Sequence, residues 1–353
     1  MSQGKKILLY TTLLFVGIYF LFTSLVEAKT FLAPLLTAII LAILSLPLSR
    51  MLEKVGLGRG IASLLTTTVI FLFSLLFIGL VTFQARNFIS DWPEIKETMR
   101  PKVEDFKTFV FEHTPLTQND FDNSVKKDGI PFIGSIQQIG AVALGFFSQT
   151  LGFLGTYLLV FIYIFFLLTY RKKFKTFIAL LFSKEKKKSV EEIVAKSGKV
   201  VQQYLVGRLL LMLFLAIVYS IGLGFSGVDN FILVSIIAAL LTLIPVLGNI
   251  IGLAIAMALG YLTTGESSAL IGIIITFSIA QLLESYVLQP FIIGDKVDLH
   301  PFFVILVVIL GSAVWGGIGM ILAIPVMAIF TIISLNVPAL YPLGYLFSKK
   351  NAK

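Results

Sequence analysis

The chain of 353 residues has no cysteine and only two histidines, His113 and His300, which are far apart in sequence. Without cysteine there is no disulfide, no thiolate ligand and no thiolate nucleophile. The histidines show no metal-ligand spacing, and no Gly-rich phosphate loop of the G-x-x-x-x-G-K-S/T type occurs. Neither a metal site nor ATP-driven pumping is therefore expected. The apolar segments also lack a Ser–His pair, paired Asp residues and an H-E-x-x-H motif, so we expect neither an enzyme nor a cofactor.

Charged residues are scarce as well. They make up 13% of the chain, whereas 57% of residues are hydrophobic and the mean hydropathy is +0.97. From residue 301 to residue 348 there is no Asp, Glu, Lys or Arg. Apolar stretches of about 20 residues match the thickness of a bilayer core. The composition therefore predicts an all-α polytopic integral membrane protein with about eight membrane-embedded helical segments. The basic residues flank these segments, which argues against a nucleic-acid partner despite the net charge of +9.

Residues 1–84 are predicted to form transmembrane helices 1–3, in the apolar runs 7–26, 31–48 and 61–83. The first run follows Lys5 and Lys6 and is longer than the apolar core of a typical signal peptide, so a retained span is favoured over a cleaved leader. Basic residues between positions 50 and 59 follow the second run. By the positive-inside rule, both basic flanks are predicted to be cytoplasmic.

Residues 85–145 change character, with seven Lys/Arg and nine Asp/Glu. Apolar residues recur there at steps of three and four or close multiples, which predicts an amphipathic helical extracytoplasmic region. Their positions are Phe88, Trp92, Ile95, Met99, Phe106 and Val110. Transmembrane helix 4 is predicted over 146–170.

Residues 171–208 carry eleven Lys/Arg against three Asp/Glu. This bias predicts a basic cytoplasmic amphipathic helix, which we interpret as a solvated or lipid-facing topology anchor rather than a regulatory element. The residues 349–353 form a second basic segment, so the C-terminal tail is predicted to be cytoplasmic, like the N-terminus.

Residues 209–348 are predicted to form the transport core, which begins with a span over 209–225. The apolar blocks 231–262 and 302–335 are too long for one ordinary span and are interrupted by Gly and Pro, as in the broken or re-entrant helices of transporters. Backbone groups freed at such breaks must meet protein or a water-filled cavity, so a cavity is predicted in this half. The candidate break and hinge residues are Pro245, Gly248, Pro290, Gly294, Pro301, Gly316, Gly317, Gly319 and Pro325. A stripe of small residues at every fourth position from 248 to 260 is interpreted as a helix-packing surface.

Glu284 is the only ionisable residue in the apolar segment that opens near Leu270. A charge at membrane depth costs about 2.5–3.5 kcal/mol or more, so it is normally functional or tightly partnered. Gln281 lies three residues earlier on the same helical face. Gln289 precedes Pro290, which is expected to end or kink the helix.

Several short motifs between about residues 200 and 335 resemble the autoinducer-2 exporter (AI-2E) family, formerly grouped as uncharacterised family 0118. Together they are specific, although each alone is weak. Val246 stands where the family usually has an aromatic residue. The matching pieces are Tyr204-Leu-Val-Gly207-Arg208, Ile244-Pro245-Val-Leu-Gly248, Gln281-Leu-Leu-Glu284, Leu288-Gln289-Pro290, Gly294, Leu299-His300-Pro301 and Gly316-Gly317-Ile-Gly319-Met-Ile-Leu-Ala-Ile-Pro325.

The resemblance implies a multi-pass permease of the bacterial inner membrane, assembled as a homo-oligomer. It implies export of autoinducer-2, a quorum-sensing furanone, or sodium/proton exchange. We hypothesise a secondary transporter in which Glu284 is the proton- or ion-sensitive carboxylate, Gln281 and Gln289 supply neutral hydrogen bonds, and His300 titrates near neutral pH. The alternatives are a Na⁺/H⁺ antiporter and a channel-like or structural membrane protein in which Glu284 locks helices together. For His300, a helix-capping or turn role is favoured over a proton relay.

Overall fold

The computed structural model describes residues 3–80, 155–244, 247–264, 267–293 and 298–349, together with a few isolated positions between 80 and 102. The amphipathic stripe predicted within 85–145 lies outside the described residues, as do Pro245 and Gly294. Every regular element within the described ranges is helical, as expected for a chain whose backbone must satisfy its own hydrogen bonds in lipid.

The described helices follow one another along the chain, and the segment between the third and the fourth lies almost entirely outside the described residues. They are α1 (Gln3–Glu27), α2 (Lys29–Lys54), α3 (Arg59–Leu80), α4 (Gly155–Thr169), α5 (Arg171–Leu180), α6 (Lys187–Phe225), α7 (Phe231–Leu241), α8 (Leu247–Thr264), α9 (Ser267–Leu282), a π-helix (Leu283–Ile293), α10 (Pro301–Trp315), α11 (Gly317–Asn336), a 3₁₀ turn (Pro338–Leu340) and α12 (Tyr341–Phe347).

The observed helices confirm the prediction of an all-α polytopic membrane protein. Six helices of the described ranges are long and apolar enough to cross a membrane, or seven if α4 and α5 count as one bent span. Three further apolar helices, α7, α8 and α10, are shorter. The chain divides into two compact units that are described separately: Met1–Phe71, Thr156–Arg208 and Ile293–Lys353 form the first, and Leu72–Gly155 and Leu209–Ile292 form the second.

In the first unit, α2 packs against α4. Phe161, Ile164 and Leu168 of α4 meet Ala38 and Ala42 of α2. The alanines leave room for the larger side chains of α4. Because lipid is as apolar as these side chains, the contact stabilises the unit through close packing rather than through transfer from water.

The helices α10 and α11 form a helical hairpin within the first unit. Gly316 connects the two helices with φ +65°, a left-handed conformation that favours glycine. Gly311 of α10 and Gly319 of α11 face each other so closely that a Cβ on either would collide with the backbone carbonyl of the other. Trp315, at the end of α10, donates from Nε1 to the carbonyl oxygen of Leu25 at 2.8 Å and so ties this hairpin to the end of α1.

The second unit is built around the C-terminal part of α6 and the helices α7, α8 and α9. Tyr219 of α6 stacks on Phe277 of α9, with ring centroids 4.3 Å apart. Gly260 of α8 faces Ile273, and Gly252 of the same helix faces Ala238 of α7. The small-residue stripe of α8 therefore lies against two neighbouring helices, which agrees with the packing interpretation.

Helix α6 continues without interruption for 39 residues from Lys187 to Phe225. The boundary that the composition predicts between residues 208 and 209 falls inside this helix. The change from basic to apolar side chains does not break the helix at this point, because Arg208 and Leu209 are both good helix formers.

The helix that carries Glu284 does not end at Pro290. Instead, α9 passes at Leu283 into a π-helix that contains Pro290 and reaches Ile293. Of the two expected effects of Pro290, an end or a kink, the end is therefore wrong: the helix changes type and continues. In a π-helix each backbone N–H donates to the carbonyl five residues earlier instead of four. The backbone has therefore already left the α-helical hydrogen-bond pattern, which proline disrupts, before it reaches Pro290.

Candidate functional site

The candidate site is centred on Glu284, in the first turn of the π-helix. Glu284 is 5% exposed. Among the described residues of the second unit, it is the one carboxylate that is buried. π-helical turns are rare and occur frequently at functional sites, because the wider turn displaces side chains from their α-helical positions. A buried ionisable group in a segment of this kind requires polar partners.

Asn249, in the first turn of α8, supplies such a partner. Its Nδ2 donates to Glu284 Oε2 at 3.0 Å and also forms a short hydrogen bond to Gln281 Oε1. Gln281 in turn donates from Nε2 to Ser285 Oγ at 2.9 Å. We call these four residues the carboxamide–carboxylate cluster. It runs from the buried carboxylate to the exposed side chains of Gln281 and Ser285.

The approach of α8 to its neighbours positions Asn249. Gly248 lies so close to Leu241 that a Cβ would collide with the Leu241 carbonyl oxygen. The absence of a side chain at Gly248 thus allows the first turn of α8 to pack against the end of α7. The next residue along α8 is Asn249, whose amide then meets the side chains of α9 and the π-helix.

The donors and acceptors of the cluster are not evenly matched. The Asn249 amide nitrogen serves two acceptors, whereas Asn249 Oδ1 is a buried oxygen without a hydrogen-bond partner in the described part of the chain. Leaving a buried acceptor unpaired costs about 1–3 kcal/mol. The arrangement thus places a carboxylate and carboxamide oxygens together, which are the hard ligands that suit a proton or a small hard cation.

The other predicted polar residues lie elsewhere. Gln289 is exposed on the π-helix, and its neighbour Pro290 is exposed as well. His300 belongs to the first unit and caps α10: its Nδ1 accepts a hydrogen bond from the Phe302 backbone N–H at 3.3 Å, and Pro301 occupies the first turn. The histidine therefore has the geometry of a helix cap, which is the role that the sequence favoured.

Of the predicted break residues within the described ranges, some lie at junctions between helices and others lie inside a helix. Gly248 and Gly316 lie at the actual junctions between helices, the first in the opening turn of α8 and the second between α10 and α11. Gly317 begins α11, and Gly319 packs inside the hairpin. Pro325 is buried within α11, which continues past it to Asn336.

Glu284 and Gln281 were predicted site residues, whereas Asn249 and Ser285 were not. Asn249 was visible as the polar residue next to the predicted break at 245–248. Its partner is 35 positions away, so neither spacing nor periodicity indicated the contact.

The membrane-length helices and the buried carboxylate define a polytopic α-helical membrane protein with a polar site inside its helical core. Residues 8–339 match the family described as AI-2E family transporter. Because this match covers nearly the whole chain, the protein belongs to the AI-2E transporter family. It is accordingly a membrane transporter.

Relatives from two bacteria support this assignment. The chain is 27% identical over 335 residues to a Bacillus subtilis (strain 168) protein named "Putative transport protein YueF", covering 90% of this chain and 87% of that protein. It is 24% identical over 320 residues to "Putative transport protein YrrI" of the same organism, covering 87% of each. It is 23% identical over 302 residues to "Putative transport protein MT0215" of Mycobacterium tuberculosis (strain CDC 1551 / Oshkosh), covering 84% of this chain and 80% of that protein.

Proposed function

We propose that this protein is a secondary transporter that exports a small polar molecule, such as autoinducer-2, in exchange for an ion across the inner membrane. The observation that carries the proposal is the buried carboxylate of Glu284, held by the amide of Asn249 at 3.0 Å. A carboxylate at membrane depth that changes its charge state provides the coupling between an ion gradient and a change of conformation.

The Asn249 amide suits both charge states of Glu284. The ionised carboxylate only accepts hydrogen bonds, and Asn249 Nδ2 donates one. The protonated acid instead has an O–H that needs an acceptor. Rotation of the Asn249 amide by half a turn presents the unpartnered Oδ1 to that proton. One side chain thereby satisfies both states, and Gln281 reorients with it because the two amides are hydrogen-bonded.

The broken helices support a moving part close to this cluster. Helix α7 has 11 residues and is thus about 16 Å long, well short of the roughly 30 Å of a hydrocarbon core. It is followed directly by α8, which carries Asn249. Together with α8, whose apolar part runs from Gly248 to Tyr261, it has the form of a re-entrant hairpin, whose movement relative to α9 would expose or cover the carboxylate.

The proposed orientation follows from the charges. The segment 171–208 has eleven Lys/Arg against three Asp/Glu, and basic residues flank both ends of the chain. The positive-inside rule then puts both termini and this segment in the cytoplasm of a bacterium. Cargo would leave the cell in the direction away from these basic segments.

The test is flux through proteoliposomes that contain the purified protein. A pH or sodium gradient is imposed while labelled autoinducer-2, internal pH and Na⁺ are followed together. We expect gradient-dependent movement of autoinducer-2 in the wild type and its loss in Glu284→Gln. Glu192→Gln, which neutralises an exposed carboxylate on α6, is the matched control and should transport like the wild type.

A Na⁺/H⁺ antiporter is the second candidate, favoured by the oxygens of Asn249, Gln281 and Glu284 in one cluster. In the same assay it would show coupled movement of protons and sodium without autoinducer-2. A channel-like or structural protein would show no gradient-dependent flux of either kind. In that case Glu284→Gln would change only the stability of the protein.

A further inference from the structure

We propose that α5 is an interfacial helix that binds anionic phospholipid headgroups of the bilayer in which the protein resides. The chain bends by 69° between α4, a membrane-type apolar helix, and α5. Spanning helices are tilted by about 20° on average from the bilayer normal. With α4 tilted by that amount, the 69° bend puts α5 at about 49–89° from the normal, which is closer to the membrane plane than to the normal.

An apolar stripe on α5 and the turn after it is directed away from the protein. Phe174, Phe177, Ile178 and Leu181 follow one another at steps of three, one and three residues, which places them on one helical face. Their exposed fractions range from 36% to 65%. Ala179, on the opposite side, is completely buried. The helix therefore docks on its own chain through Ala179 and presents its aromatic and aliphatic side chains outward.

Basic side chains surround this stripe. Residues 171–188 contain eight Lys/Arg and a single acidic residue, Glu185. Two of the basic groups serve the protein itself, because Arg171 donates to Glu53 at 2.6 Å and Lys175 pairs with Glu191 at 3.1 Å. These pairs fix α5 to α2 and α6. Lys172 and Lys173 are exposed on α5, and further lysines follow at 184, 186, 187 and 188.

The bilayer fits this surface better than a soluble partner does. Interfacial helices combine Lys/Arg on the polar side with Phe and Leu on the other, and the apolar face enters the boundary between headgroups and acyl chains. Here α5 begins at Arg171, two residues after the apolar helix α4 ends at Thr169, so lipid is the immediate neighbour of its apolar face. Anionic headgroups supply the charge that complements the lysines. The ion pair to Glu53 would then hold α2 at the same interface.

The depth of α5 can be measured with single nitroxide labels, since the natural chain contains no cysteine and each introduced cysteine is unique. Phe177→Cys and Lys172→Cys are labelled in the full-length protein, which is reconstituted in vesicles of phosphatidylcholine and phosphatidylglycerol. We expect the label at 177 to be more accessible to oxygen than to a polar nickel complex, and the label at 172 to show the reverse. Equal access of the nickel complex to both labels would overturn the proposal and would leave this face to water or a soluble partner.

The lipid chemistry is tested separately, by the enrichment of phosphatidylglycerol over phosphatidylcholine around the protein. Lys172→Gln/Lys173→Gln should lower this enrichment by about fivefold for each lysine removed, the effect expected for a basic residue near an anionic surface. Lys196→Gln/Lys199→Gln removes the same charge from α6 and should retain the enrichment of the wild type. An equal loss in both double variants would mean that net charge alone attracts the lipid, and an unchanged enrichment in the first would mean that α5 does not bind it. Either result contradicts the proposal.

Discussion

Asn249 Nδ2 lies 3.0 Å from Glu284 Oε2, and this hydrogen bond joins two helices across 35 positions of sequence. The asparagine lies in the first turn of α8, shortly after a helix break, and the glutamate lies in the first turn of the π-helix that continues α9. The hydrogen bond therefore connects the start of α8 with the start of the π-helix. A change of charge at Glu284 would therefore act directly on the contact between α8 and the π-helix.

Replacement of Asn249 by leucine should destabilise the protein. The substitution preserves side-chain size but removes one N–H donor of a buried carboxylate, a loss of about 1–3 kcal/mol. We expect a lower apparent melting temperature in detergent. Removing both polar partners is nearly neutral when the replacements are apolar, so Glu284→Met added to Asn249→Leu should recover much of the loss. A double variant whose melting temperature falls by the sum of the single effects would contradict the coupling.

Gly319→Ala should disturb the α10–α11 hairpin. The new Cβ would collide with the Gly311 carbonyl oxygen, and backbone atoms are unable to rotate away as a flexible side chain does. Overpacking of this kind costs about 1–3 kcal/mol. Hydrogen exchange in α10 and α11 should accelerate. Gly317→Ala, two residues earlier, is the matched control because nothing lies within 4 Å of its Cβ position. Equal effects of the two substitutions would show that the close approach does not matter.

Asp298→Ala should release the C-terminal segment of the first unit. The Asp298 carboxylate accepts a short hydrogen bond from Ser348 Oγ and a second one from the Lys349 backbone N–H at 3.0 Å. Loss of both acceptors should make local opening easier by about 1–2 kcal/mol, because Phe347 still packs on Phe303. Amide exchange over 341–349 should accelerate roughly tenfold. Asp229→Ala, which removes an exposed carboxylate from another loop, should leave that exchange unchanged.

Much of the fold was predictable because lipid imposes simple rules on a sequence. Long uncharged runs predict membrane helices, and the lone carboxylate at Glu284 stands out against such a background. The junction at Gly316 was also predictable, since consecutive glycines interrupt an apolar run. These features depend on local composition, which a sequence displays directly.

The details of the site were less accessible. The partnership of Asn249 with Glu284 depends on how α8 packs against α9. The spacing of small residues predicts a packing surface on α8, but it does not specify that Gly260 meets Ile273 of α9. The π-helix was missed because its change of hydrogen-bond pattern leaves no mark on hydropathy. The continuity of α6 was missed because the composition changes at residue 208 while the backbone does not.

The coupling role of Glu284 is best measured by comparing two kinds of transport in Glu284→Gln proteoliposomes. One is net movement of labelled autoinducer-2 driven by a pH or sodium gradient. The other is exchange of labelled for unlabelled autoinducer-2 without any gradient. If Glu284 is the coupling group, the glutamine variant retains exchange, because its amide preserves size and polarity, but loses the response to the gradient. If gradient-driven movement in Glu284→Gln equals that of the wild type, Glu284 does not couple transport to the ion, and the account of this site is wrong.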